Sequence, residues 1–167
     1  QHGRPAGDVP ADPSHRSPGA ALVDALRFSP LDWSVPKVGR EVTRHALSNG
    51  AVVYLLPDRS LPLVRVQVRI KTGGFDDPAG REGLASLTGA LLRQGGGGNL
   101  SADEIDEKLE FVAARLSTSG ALESSGASLD VLTKDLDLGL FLLADVLIRP
   151  AFQSDKMEIQ KGQIKEK

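Results

Sequence analysis

The stretch Gly80-Arg-Glu-Gly-Leu-Ala-Ser-Leu-Thr-Gly-Ala-Leu-Leu92 decides how the rest of the chain is read. Leu84, Leu87, Leu91 and Leu92 recur at helical spacing, so the stretch predicts a helix whose apolar face is turned to a core. The chain enters it through Thr72-Gly-Gly-Phe-Asp-Asp-Pro-Ala-Gly80 and leaves through the glycine run Gly95–Gly98, which reads as a permissive loop. Gly89 costs this helix about 1 kcal/mol relative to alanine. Close packing of a neighbouring backbone would offset that cost.

Upstream, Val42–Leu47 and Ala51–Leu56 read as two strands joined at Ser48-Asn49-Gly50, where the Asn-Gly pair predicts a tight hairpin with a primed turn. Leu63-Val-Arg-Val-Gln-Val-Arg-Ile70 alternates apolar and polar residues, the pattern of a half-buried strand. Val64, Val66, Val68 and Ile70 form one face, and Arg65, Gln67 and Arg69 the other. Downstream, Ser101-Ala-Asp-Glu104 is a capping box for a helix running to about Arg115, with Ile105, Leu109, Val112 and Phe111 inward. Leu116–Leu122 and Ser125–Leu132 read as two more antiparallel strands. Asp135–Ile148 reads as an apolar helix stopped by Pro150, and Ser154 as the cap of a last, charged helix. Three strands, two helices, two strands and two helices predict an α+β fold: a largely antiparallel sheet with helices packed on one face.

Composition narrows the function. The 167 residues suffice for one domain, or part of one, with a real core. Twenty Lys+Arg against 22 Asp+Glu give a formal charge of −2, which argues against a nucleic-acid partner. There is no cysteine, hence no disulfide and no thiolate metal site. The apolar run Leu136–Ile148 is interrupted by Asp137 and Asp145 and is too short to span a bilayer. Residues 1–39 read as a flexible Pro/Gly-rich arm and extended lead-in, with a short helix at Ala20–Phe28 and Trp33 as an anchor. The folded domain is expected over residues 40–167. The chain starts at Gln1 without a hydrophobic leader, so a periplasmic or exported mature protein is expected, with a cytoplasmic one as the alternative.

Most chemical motifs fail on inspection. Gly95–Gly98 lacks the Lys-Ser/Thr of a phosphate-binding loop and follows a helix instead of a strand. Asp76-Asp77 offers two acids to a calcium ion, but paired loop acids usually just solvate the loop. Ser86 has no histidine at a useful spacing. Glu104, Asp106, Glu107 and Glu110 read as a solvated acidic helix face. The three histidines, His2, His15 and His45, lie in the arm and on a strand, none four residues from another.

Several pieces stand in a telling order: Gly73-Gly-Phe-Asp-Asp77, Gly83-Leu-Ala85, Ser101-Ala-Asp-Glu-Ile-Asp-Glu-Lys-Leu-Glu110, Leu129-Asp-Val-Leu132 and Leu142-Leu-Ala-Asp-Val-Leu-Ile-Arg-Pro-Ala-Phe152. Together they resemble the N-terminal domain of the insulinase/pitrilysin metallopeptidases, over about Val42–Lys167. The resemblance implies a clamshell of similar α/β domains enclosing a peptide, of which this chain matches the first domain of one half. It also implies more chain beyond Lys167, because the sequence stops inside a helical pattern. In active relatives the organising helix carries His-x-x-Glu-His, whose imidazoles bind zinc while the glutamate serves as general base. The matching positions here are Ser86, Gly89 and Ala90. Neither serine nor alanine replaces imidazole, and glycine cannot accept a proton. Glu166 falls about where the family's third zinc ligand is expected, although it also belongs to a charged run with Lys161, Lys165 and Lys167 that reads as a solvated helix face.

The resemblance therefore implies no catalytic residue, no metal and no cofactor. It points to the zinc-motif-less subunit of two-subunit processing peptidases, which encloses extended peptide and supports a zinc-bearing partner subunit of the same family. The alternatives are an independent peptide-binding scaffold and an active peptidase with an atypical site.

Overall fold

The computed structural model describes residues 19, 22, 25–27 and 34–165. Residues 1–18 and most of 20–33 of the expected arm and lead-in, with His2, His15 and Trp33, and also Glu166, lie outside the described residues. The chain divides into two compact units, Gln1–Pro57 and Asp58–Lys167.

In the first unit, strands β1 (Thr43–Ala46) and β2 (Val52–Leu55) pair antiparallel, Thr43 opposite Leu55. Their connection differs from the primed turn that Asn-Gly suggests. Only Gly50 has a positive φ, +85°. The Gly50 amide donates to the Leu47 carbonyl, and the Leu47 amide donates to the Ala51 carbonyl. This is the three-residue hairpin loop in which a turn is followed by a left-handed glycine. Asn49 contributes through its side chain, which accepts from the Ala51 amide at 3.0 Å.

The second unit carries β3 (Leu63–Ile70), α1 (Leu84–Gln94), α2 (Ala102–Phe111), β4 (Arg115–Gly120), β5 (Ser125–Leu132), α3 (Leu136–Ile148) and α4 (Ser154–Lys165). Its sheet has the order β3-β5-β4, antiparallel throughout. The alternation of β3 sets the two faces. Val64, Val66 and Val68 pack against a core built by Ala127, Leu129 and Val131 of β5, Leu116 of β4, Ile105 and Leu109 of α2, and Leu142, Leu143 and Val146 of α3. Ile105, Leu129, Val131, Leu142 and Val146 are wholly buried. Gly139 lets α3 settle on β5, since a Cβ there would lie 3.1 Å from a Leu129 methyl and 3.3 Å from both Val131 methyls. Helices thus cover one sheet face, giving the α+β layer architecture.

Local signals account for the element ends. The Ser101 hydroxyl accepts from the Glu104 amide at 3.2 Å, and the Glu104 carboxylate accepts from the Ser101 amide at 2.8 Å, closing the capping box. The Ser101 amide and then its hydroxyl hold the Glu104 carboxyl below its ordinary pKa. This contribution is present above the ordinary glutamate range and is lost as pH falls through the lowered value.

Helix α2 ends at Phe111, earlier than the expected Arg115, because Ala113 turns left-handed at φ +51°. The Ala113 amide donates to Glu110 and the Ala114 amide to Leu109, the two bonds of a Schellman close. Phe111 consequently points outward, 90% exposed, against the inward placement its spacing suggests. A left-handed alanine is strained by about 1–2 kcal/mol. Ala113→Gly is therefore expected to raise unfolding stability by about 0.5–1 kcal/mol, the remainder being lost to the freer unfolded chain. Urea unfolding followed by circular dichroism measures this, and an unchanged or lower midpoint contradicts it.

Three further expectations need correction. Helix α1 starts at Leu84 instead of Gly80, so Leu84 sits in its first turn and is 42% exposed, while Leu91 and Leu92 enter the core. Ser154 is the first residue of α4 instead of its cap. The run Gly95–Gly98 is a loop in which Gly96 and Gly98 take positive φ, +81° and +59°, but it is a packed one and not an open one. Gly95, Gly96 and Gly97 are buried. The segment after α3 bonds onto the run along its length: Ala151 and Gln153 amides donate to the Gly96 and Gly95 carbonyls, and the Gly98 amide donates to Arg149. A Cβ at Gly97 would sit 3.0 Å from the α3 backbone at Asp145 and Val146. The buried Asp145 is spoken for by Arg149, whose guanidinium pairs with it one helical turn on.

Candidate functional site

The organising helix is held at its start by the loop before it. Asp77 reaches over the first turn of α1, accepting from the Gly83 amide at 2.8 Å and the Ala85 amide at 2.9 Å, as an N-cap carboxylate does. Asp76 closes its own turn, accepting from the Gly73 amide and the Thr72 hydroxyl. Gly73 is required because a Cβ there would lie within 2.7 Å of backbone atoms of Ala121, Leu122 and Ser124. The two acids are thus absorbed in holding a helix and a turn. Glu82 accepts from the Gly80 amide; that bond and one from its own amide lower its carboxyl pKa, against desolvation and the charge of Asp77.

Ser86, Gly89 and Ala90 lie on the face of α1 that meets β4. Ser86 is exposed, Ala90 half-buried and Gly89 buried. At Gly89 the helix rests directly on the strand. An ideal Cβ there would lie 2.0 Å from the Gly120 nitrogen and 2.4 Å from the Ser119 carbonyl carbon. The contact is reciprocal, for a Cβ at Gly120 would lie 1.9 Å from the Ala85 carbonyl oxygen. The Thr118 hydroxyl pins the pair by donating to the Gly89 carbonyl at 2.6 Å. The close backbone approach that would offset Gly89's helix cost is therefore present. Its partner, Gly120, went unread in the sequence, although a glycine inside a strand pattern is the signal for such an approach.

The flanking positions open onto separate depressions. Ser86 borders one with Glu82, Gly120 and Leu122. Ala90 borders a groove of 550 Å³ between α1, α2, β4 and α4, with Gln94, Leu116, Thr118 and Gln160 on its walls. There the Gln160 amide donates to the Gln94 side chain, Arg93 pairs with Asp106, and Lys156 with Asp103 at 3.2 Å.

The zinc chemistry that the resemblance brings to mind does not fit these residues. Position 86 offers one hydroxyl, positions 89 and 90 offer no donor atom, and the space beside position 89 is strand backbone. Among the described residues no three His, Cys, Asp or Glu side chains converge as metal ligands. His45 lies exposed on β1, in the first unit.

Residues 52–167 match the family model of insulinase, peptidase family M16. The chain belongs to the insulinase family. Among solved structures, a peptidase M16 inactive domain from Pseudomonas fluorescens is 26% identical, with a TM-score of 0.69 over 74% of this chain and 30% of its own. A protease from Helicobacter pylori is 21% identical, with a TM-score of 0.67 over 79% of this chain and 30% of its own. Pitrilysin is 22% identical, with a TM-score of 0.66 over 81% of this chain and 15% of its own. The last two likenesses establish the fold. This M16 chain spans less than a third of the length of each of the three. No curated protein matches it. Among the described residues no helix is long and apolar enough to cross a membrane.

Proposed function

We infer that this M16 chain is a non-catalytic member of a zinc-peptidase system. It binds or encloses extended peptide and supports a zinc-bearing M16 partner, with no cofactor of its own. The observation that carries the reading is the Gly89–Gly120 contact. The position where active relatives hold the general base is used here to seat a helix on a strand, and the two positions for imidazole hold Ser86 and Ala90. Likeness to an inactive M16 domain supports the same reading. What the chain retains is the sheet, the caps and the apolar helix faces, which serve shape and association. Extended peptides can be held by backbone hydrogen bonds at a sheet edge, a mode that needs no metal. Export to the periplasm accords with this role, the absence of cysteine being compatible with an oxidising compartment.

The first test is metal content. Tag-free protein analysed by inductively coupled plasma mass spectrometry is expected to carry well under one zinc per chain, Glu166 alone being insufficient as a site. A full equivalent that survives chelator treatment would contradict the reading.

A further inference from the structure

The sheet of the second unit has a second face, opposite the core. Strand register places three rows there: Arg65, Asp130 and Arg115; Gln67, Ser128 and Ser117; Arg69, Gly126 and Ser119. Three arginines against one aspartate give this face a charge of +2, in a chain whose total is −2. Asp130 is already engaged by Arg65, Nε to Oδ1 at 2.6 Å. The side chains of Arg69 and Arg115 are exposed and make no hydrogen bond or ion pair among the described residues. The lane between the arginines is floored by small groups, Ser117, Ser119, Gly126 and Ser128, with the Ser117 and Ser128 hydroxyls 2.8 Å apart. At its Arg69 end the floor sinks into a depression of 420 Å³ bordered by Gln67, Arg69, Ser119, Ser124 and Gly126. Gly126 keeps that depression open, and a Cβ there would meet the Val68 carbonyl at 2.8 Å.

We propose that this face binds an acidic, extended segment of a protein substrate or partner, seated over the serine and glycine floor between Arg65, Arg69 and Arg115. Charge complementarity selects the occupant. A solvated sheet face needs polarity but not one sign, and a surplus of unpaired guanidinium groups favours carboxylates, which they bind in a fork geometry. Spacing is consistent. Arg65 and Arg69 are four residues apart on one strand, about 13 Å at strand rise. An extended segment with acids four positions apart presents its carboxylates at the same interval on one side. The small floor lets its backbone approach. The proposal rests on the peptide-binding reading above and specifies which peptides.

Fluorescence anisotropy tests it, with three labelled peptides of about twelve residues, long enough to cross the sheet. They are identical except that the charged positions hold Glu, Gln or Lys. For the 167-residue chain, the Glu peptide is expected to bind at least about tenfold tighter than the Gln peptide, with the margin shrinking at high salt. The double variant Arg69→Glu/Arg115→Glu removes two side chains without internal partners, so its circular dichroism should match wild type. It is expected to lose the preference for Glu and gain one for Lys. If the Glu and Gln peptides bind equally, or the double variant keeps the wild-type preference, the cationic face is not the site, while peptide binding itself stands. If none of the three peptides binds, both the face and the peptide-binding reading are overturned.

Discussion

Gly89→Ala is expected to destabilise the protein by about 3 kcal/mol. Helix propensity alone gives the opposite sign, since alanine favours a helix interior over glycine by about 1 kcal/mol. Two facts reverse it. The added methyl would stand 2.0 Å from the Gly120 nitrogen, a backbone atom with no rotamer to change. Strand β4 cannot simply retreat either, because it is laddered to β5 over Arg115–Gly120 while the other side of β5 is laddered to β3. Helix α1 would have to lift, exposing part of the contact that buries Leu91 and Leu92. Equilibrium urea unfolding gives the value directly. A variant as stable as wild type, or more so, would show that helix and strand do not touch there. The helix–strand contact on which the proposed function rests would then be gone.

The second large effect is expected at Gly96→Ala, with a loss of about 2–3 kcal/mol. Gly96 has φ +81°, where alanine is strained by about 1–2 kcal/mol. A Cβ there would also lie 2.8 Å from the Leu100 carbonyl oxygen, adding about 1 kcal/mol of overpacking. Gly80→Ala separates the two causes. Gly80 has nearly the same φ, +77°, but nothing within 4 Å of the added carbon. It should therefore lose only the strain. Equal losses at the two sites would mean that the glycine run is an open loop and not a packed one.

What was legible in the sequence is what local chemistry specifies. The alternation of Leu63–Ile70 gives the two sheet faces because side chains on a strand point to opposite sides in turn. Ser101 and Glu104 give a helix start because their partners lie three residues apart. Other features depend on distant chain. The Gly89–Gly120 contact joins a helix to a strand two elements later, and each glycine alone reads as a minor helix or strand defect. The buried state of Gly95–Gly97 depends on Ala151 and Gln153 bonding onto the run. Phe111 shows how one terminal residue misleads: its spacing fits the inward face, but the helix closes at the left-handed Ala113 and leaves the ring in solvent. At the candidate site, identity was readable position by position, while the reason that position 89 has no room for a side chain was not.

One assay tests the proposed non-catalytic association most directly. Peptide cleavage is measured for this protein alone, for a zinc-bearing M16 relative from the same organism alone, and for the mixture, with co-elution followed by size-exclusion chromatography. This protein alone should be silent, and the mixture should co-elute and cleave faster than the relative by itself. Zinc-dependent cleavage by this protein alone would contradict the proposed function.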